Sequence, residues 1–559
     1  MAGVNPTSPA LVTERGARRL PRVALLLLCA AYVLPGVFGR DPWRGADLIS
    51  FAQMLGIATG QSGWTQPGLA GVQVADFSLL PIGLGALAIS LMSPAVDAAV
   101  AARIPFALLL AATLGLVWYA TFHLARTDNA QPLPFAFGGQ AEPVDYARAV
   151  ADGSVLASIA TLGLLQLGHE TTPELVQLFG VSLFLYAMAA APWRTVQPRI
   201  ALLAALSILA ASGAPSIAML LGIGGAAIFR RSAFAQARSL VPWVIGASMA
   251  AAVLSSALAA WRWRGVGLDP GLVFVVARQW AWFLWPAWPF VLWTLWRWRM
   301  HWMHRHIAVP LLVVVVSLGS NVLMGASDRA LLLALPAMAI LAAFALPTFK
   351  RSTTAAIDWF SMFFFTLWAL TIWVIFVSVH TGVPAQPAAN VAKLAPGFVA
   401  PFSWITVTFA LFASLAWVWL LRWRTGRHRD ALWKSLVLPA SGVTLIWLLL
   451  MTLGLPLLDY ARSQKPWLAN LAAYVDAGAC IYVPQGSPTT LATLQMSRRY
   501  RVVTSSTAHQ AIDCKFQLRV ARTGREHLPS IDWQLVAQWR RPTERDEITS
   551  LYRLPASAP

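Results

Sequence analysis

Apolar runs of about 20 residues recur from Val23 to Leu457, each ended by a short stretch of arginine, proline or glycine. A helix rising about 1.5 Å per residue needs a run of that length to cross a hydrocarbon layer of roughly 30 Å. The same run is too long for a strand, and it is too evenly apolar for a helix with one wet face. Charged residues make up 12% of the chain and hydrophobic residues 58%. A soluble domain carries about 25% charged residues. The 559 residues therefore read as a polytopic α-helical membrane protein.

The formal charge of +19 raises the question of a nucleic-acid partner. The arginines answer it, because they cluster between apolar runs: Arg15, Arg18, Arg19 and Arg22, then Arg230, Arg231 and Arg238, then WRWRMHWMHRH and RWRTGRHRD. That is the distribution the positive-inside rule assigns to cytoplasmic loops, where basic side chains face anionic lipid headgroups. Membrane lipids are the expected partner and nucleic acid is not. The twenty-seven tryptophans mostly flank the runs, as an aromatic belt should.

Placing the basic clusters inside predicts about thirteen spans, a cytoplasmic N-terminus and an external tail. The first span, near 23–39, has the charged and apolar regions of a signal sequence without a small-residue cleavage site, so it reads as an uncleaved anchor. Later spans fall near 99–121, 151–168, 175–191, 240–260, 271–296, 307–324, 330–346, 356–379, 401–421 and 434–457. Two short spans flank the helix-breaking Ser212-Gly213-Ala214-Pro215. In the external loop 40–102, residues 46–57 and 79–91 read as helices lying at the interface. From Asp459 short apolar runs such as ACIYV, RVVTS and FQLRV alternate with polar turns, predicting a small external α/β domain. The expected division is a membrane domain over 1–458 and a C-terminal domain over 459–559. Cys29 lies in the first span, whereas Cys480 and Cys514 lie in the tail. The two tail cysteines either pair in an oxidising compartment or remain free thiols, and the sequence leaves both open.

Ionisable groups close to span ends are the candidates for chemistry, since charge in a low-dielectric site is costly to hold. The loop 40–102 supplies Asp47 and Asp76, and the next external turn, GHETTPEL, supplies His169, Glu170 and Glu174. Each has a plainer role beside it. Asp47 suits the positive end of a helix and Asp76 the start of the next one. Glu174 suits the first turn after Thr172 and Pro173. Two outward loops bearing four acids can nonetheless line one polar cavity. Arg103 and Arg329 are the cations placed to meet a lipid phosphate or a loop acid, with snorkelling to the interface as the plainer role of Arg329. No phosphate-binding glycine loop, dinucleotide fingerprint, paired CxxC or zinc HExxH pattern is present.

The order Asp41-Pro42-Trp43-Arg44-Gly45-Ala46-Asp47, Gly63-Trp64, Pro67, Gly71, Asp76, Ala102-Arg103-Ile104-Pro105 resembles glycosyltransferase family 39. This GT-C family includes bacterial aminoarabinose transferases and protein O-mannosyltransferases. HETTPEL resembles its second acidic loop, and Asp328-Arg329 before LLLALPAMAILAA resembles its later arginine segment. The tail with Cys480, Cys514 and LYRL also resembles that group. Ungapped, Ala46 stands at the family's first acid and Asp47 at its second. Phe77-Ser78-Leu79 replaces a Lys-Pro-Pro box, whose lysine would hold a lipid phosphate.

The resemblance implies a GT-C-like fold and an inverting transferase of the bacterial inner membrane. Its donor would be a polyprenyl-phosphate-linked sugar, and its acceptor a lipid A-like lipid, a glycan or a protein. Asp47 would be the general base and Asp76 its support. His169, Glu170 and Glu174 would line the second wall, and Arg103 and Arg329 would neutralise donor phosphate. No cofactor is required, a divalent cation at the external acidic loop being the one such group the acids would accommodate. A catalytically inactive relative and a flippase of lipid-linked sugars are the rival expectations.

Overall fold

The computed structural model describes residues 8–73, 78–261, 270–425, 431–505, 514–522, 533–541, 544 and 546–554. In chain order, α1 (Arg22–Val33) and α2 (Ala46–Ala58) precede a small hairpin, β1 (Gly68–Leu69) and β2 (Val72–Gln73). There follow α3 (Leu79–Met92), α4 (Ala98–Ala125), α5 (Pro143–Ala160), α6 (Leu162–Leu167), α7 (Pro173–Ala190), α8 (Val196–Ala211) and α9 (Pro215–Arg230). Then come α10 (Ala235–Arg238), α11 (Val241–Ala257), α12 (Pro270–Phe283), α13 (Ala287–Arg297), α14 (Arg305–Leu323), α15 (Asp328–Leu332) and α16 (Leu335–Ala343). The last long helices are α17 (Arg351–Thr381), α19 (Trp404–Thr425) and α20 (Lys434–Thr452), with the short α18 (Ala385–Leu394) between the first two.

Among the described residues eight helices are long and apolar enough to cross a membrane: α4, α7, the run α10–α11, α14, the run α15–α16, α17, α19 and α20. The segments expected to span are helical over most of their length, except that the first, expected at 23–39, is helical only over Arg22–Val33 and is too short to cross by itself. The expected 151–168 and 271–296 each divide into two helices, at an extended Thr161 and before Pro286. Proline cannot donate the backbone bond that would continue a helix. The two helices expected in the loop form as α2 and α3, within a residue of their expected ends. The Ser212–Pro215 turn separates α8 from α9, with Gly213 at φ +87°, a conformation a side chain would strain.

The chain groups into two compact units. The first takes in Met1–Val37, Phe106–Leu370 and Val407–Leu450. Its centre is α16, buried along its whole length, packed on α5, which is buried from Ala149 to Ala160. At the periphery α17 and α19 leave most of their apolar surface uncovered, as lipid-facing helices do. They are joined by Trp417 Nε1 to Thr366 Oγ1 at 3.1 Å and by an ion pair of Arg424 and Asp358 at 2.6 Å.

The second unit takes in Phe38–Pro105, Thr371–Thr406 and Met451–Pro559. After α21 (Leu455–Arg462) and α22 (Lys465–Ala472) come β3 (Cys480–Val483), α23 (Pro488–Ser497), β4 (Arg501–Thr504), β5 (Phe516–Arg522), β6 (Gln534–Arg540) and β7 (Glu547–Arg553). The sheet order is β4-β3-β5-β7-β6, with β3 parallel to β4 and β5, and β7 antiparallel to β5 and β6. Ser487 caps α23 by accepting the Thr490 N–H at 3.2 Å, and Pro488 opens the helix. Cys480 and Cys514 form a disulfide, their Cα atoms 4.7 Å apart. The loop helix α2 shares one hydrophobic core with this sheet: Leu48 and Ala52 pack with Trp467, Ile481, Leu491 and Leu551.

Candidate functional site

The expected site residues fall into two groups, one within each unit. In the second unit the segment Arg40–Asp47 leads into α2. Gly45 takes φ +102° at the N-cap, a backbone conformation that glycine adopts readily. This turn brings the carboxylate of Asp47, 2% exposed, back onto the segment that precedes it. Asp47 Oδ2 accepts the Trp43 backbone N–H at 3.1 Å and lies 3.5 Å from Arg40 Nη2. Arg103, 3% exposed on the first turns of α4, donates from Nη1 to the Arg40 carbonyl. Asp47 and Arg103 therefore meet the same residue, one at its guanidinium and one at its backbone.

Asp459 on α21 completes this cluster, and no motif pointed to it. Its Oδ1 accepts the Trp43 indole N–H at 2.7 Å, and its Oδ2 accepts the Asp41 backbone N–H at 3.2 Å. Burial pushes its pKa up, against the hydrogen bond from Trp43, which lowers it. The guanidiniums of Arg40 and Arg462 lie 4.7 and 5.0 Å from the Trp43 ring centroid, in cation–π range. Lys465, 76% exposed, pairs with Asp41 at 2.9 Å. Arg44 ties the same segment to Glu547 at 2.7 Å and to Glu544. The signal available in the sequence was an acid in LPLLDYAR, directly after the last apolar run. Asp76 lies outside the described residues.

In the first unit the acidic turn precedes α7. Thr172 stands at the N-cap in extended conformation, with Pro173 and Glu174 in the first turn. The Thr172 side chain makes no capping bond. Glu170, 3% exposed, accepts from Gln166 Nε2 at 2.9 Å and from Arg329 Nη2 at 2.6 Å. Arg329 Nη1 lies 3.6 Å from Glu174. A set of amides prepares the turn that carries Arg329. Gln279 donates to the Ala326 carbonyl at 2.8 Å and to Asp328, and Asn321 donates to the Ser327 carbonyl at 2.9 Å. Sequence reasoning passed over these amides, since a lone Gln or Asn in an apolar helix has no spacing to mark it.

His169 is engaged differently. Its ring nitrogens lie 2.7 and 2.8 Å from the carbonyl oxygens of Leu165 and Tyr32, and the ring packs against Tyr32 and Trp447. Backbone oxygens thus face both ring nitrogens, the atoms a substrate would use.

Chemically, the second unit offers a buried carboxylate among guanidiniums and an accessible ammonium. The first offers two carboxylates sharing one arginine. Among the described residues no group of three or more His, Cys, Asp and Glu is arranged to hold a metal ion.

No family model and no curated protein sequence matches the chain. Solved structures do. The apo structure of ArnT from Cupriavidus metallidurans matches at TM-score 0.61 and 11% identity, over 95% of this chain and 97% of that one. The structure of ArnT from Cupriavidus metallidurans bound to undecaprenyl phosphate matches at TM-score 0.58 and 14% identity, over 95% and 98%. At this identity the likeness establishes the fold, a polytopic GT-C fold.

Proposed function

We propose that the chain is an integral-membrane glycosyltransferase. It would move a sugar from a polyprenyl-phosphate donor to a lipid A-like lipid, a glycan or a protein at the outer face of the bacterial inner membrane. The observation that carries this reading is the fold likeness over nearly the whole of both chains to a protein bound to undecaprenyl phosphate.

In the proposed reaction a carboxylate takes the proton of the acceptor hydroxyl. The acceptor oxygen forms a bond to the anomeric carbon as the bond to the donor phosphate breaks, and polyprenyl phosphate leaves with the electron pair. Asp47 is the proposed base, and Asp76 is assigned to hold the acceptor. The burial of Asp47 does not count against it, because catalytic contacts often tighten only when substrate is bound. Arg103 is a poor phosphate ligand, being 3% exposed and hydrogen-bonded to a backbone carbonyl. Arg329 keeps a quarter of its side chain exposed, and Lys465 beside Asp41 is 76% exposed. These two are the better candidates for the charge that the missing box lysine would supply.

The test is transfer by purified protein from a panel of polyprenyl-phosphate sugars, comparing wild type with Asp47→Asn, Asp76→Asn and Lys465→Gln. Loss of about 100-fold or more in Asp47→Asn, with donor binding and melting temperature kept, is the expected result. Equal turnover in that variant moves the base elsewhere. Lys465→Gln should weaken donor binding more than it slows turnover. Donor movement across vesicles without transfer by any variant replaces the transferase reading with the flippase.

A further inference from the structure

The second unit carries a cleft beyond the C-terminal end of α2, on the same loop as the Asp47 turn. The loop and hairpin Gln61–Gln73 form one wall, and the end of α23 with the start of β4 forms the other. Its volume is about 450 Å³, within the range of pockets that hold small organic ligands. The lining is unusual for its amides: Gln61, Gln66 and Gln73 on one side, with Arg498 and Tyr500 facing them. Among the described lining residues there is no carboxylate.

Three features mark the cleft as built for a ligand. First, Tyr500 is 9% exposed, and its buried hydroxyl has no hydrogen-bond partner among the described residues. A buried hydroxyl left unpaired costs about 1–3 kcal/mol, which a ligand atom recovers. Second, the backbone is strained on both walls, with Ala70 at φ +50° and Arg498 at φ +50°. Side-chain-bearing residues held there cost of order 1 kcal/mol and gather where ligands are clamped. Third, the walls are pinned to each other. Gln495 accepts the Ala70 N–H at 2.8 Å and donates to the Ala52 carbonyl at 3.2 Å, so this amide is a strut. Gln73 Nε2 donates to Gln66 Oε1 at 3.2 Å, which leaves the Gln66 amide hydrogens and the Gln73 oxygen to face a ligand as donor and acceptor.

We propose that this cleft binds a saccharide bearing an anionic group. Side-chain amides match vicinal hydroxyls, which both donate and accept. The apolar edges of Val72, Leu494 and Val502 suit the C–H faces of a sugar ring. Arg498 is exposed and makes no ion pair among the described residues, so its fork is open to a carboxylate or a phosphate. Trp64, half exposed, lies on the same loop two residues before Gln66 and supplies a fluorescent reporter.

Binding is measured on the full chain in detergent by calorimetry and tryptophan fluorescence, without turnover, so its outcome is separate from that of the transfer assay. Three probes are used: an oligogalacturonide, glucosamine 1-phosphate and a neutral maltooligosaccharide. At least one anionic probe should bind about 10-fold more tightly than the neutral one, the size expected of a charge-assisted contact. The uronate and phosphate arms decide which anion is preferred. Arg498→Gly should abolish that preference without lowering the melting temperature, because glycine is at ease at φ +50°. Tyr500→Phe should weaken both classes about 5-fold. Absence of saturable binding at millimolar probe overturns the proposal, and so does equal binding of neutral and anionic probes. Affinities unchanged in Arg498→Gly overturn it as well.

Discussion

Asp459 serves two donors with its two oxygens, the Trp43 indole and the Asp41 backbone. Replacing it with alanine leaves both donors unpaired and should cost about 2 kcal/mol, read as a lower midpoint in denaturant. Asp459→Asn keeps an acceptor for the indole and loses the one for Asp41, so it should cost less. The pH dependence follows from burial. The folded pKa is raised above the ordinary 3.8, so the folded state holds its proton more tightly than the unfolded chain does. That contribution is fully present below 3.8 and is lost as pH rises through the raised folded value. Wild type should therefore lose melting temperature relative to Asp459→Asn across that window, and parallel profiles would show that Asp459 is not the group responsible. Asp47 and Arg103 stood out in the sequence as charges in apolar surroundings. Their common partner, Arg40, did not, because its number places it in a loop and its neighbours come from α2 and α4.

At the scale of elements, helix existence followed from apolar length and helix ends from proline and glycine. How tightly helices meet did not. Gly442 on α20 lies against the Phe365 ring on α17, where an added Cβ would fall 2.2 Å from Cδ2. Gly85 on α3 lies against Met54 on α2, where an added Cβ would fall 2.2 Å from Sδ. The two clashes are equal in distance and differ in what must move. A packed ring cannot bend aside, whereas an unbranched thioether has other rotamers. Gly442→Ala should cost about 1–3 kcal/mol, and Gly85→Ala distinctly less, measured as thermal shifts of the detergent-solubilised protein. Equal shifts would mean that side-chain flexibility does not set the penalty.

For the whole molecule, the Cys480–Cys514 bond resolves an ambiguity the sequence left open, since β3 and the start of β5 are neighbours in the sheet. With the cysteines 34 positions apart, the bond should contribute about 4 kcal/mol by limiting the unfolded chain. The double variant Cys480→Ser/Cys514→Ser should melt lower by a corresponding amount. In wild type, maleimide should label both thiols only after reduction. We further propose an external C-terminus, in keeping with an oxidising compartment. A reporter fused after Pro559 should read the exterior, and a cytoplasmic signal would break the span assignment. By itself the sequence determined the membrane class, the helical segments and the GT-C resemblance. Hydrophobic length and basic punctuation are local properties, which chain order preserves. Only the tertiary structure decided that the loop after the first helix and the C-terminal segment share one core, and that Asp459 holds Trp43. It alone decided that Arg329 is gripped by Glu170. Those are contacts between residues 159 to more than 400 positions apart, which no periodicity encodes.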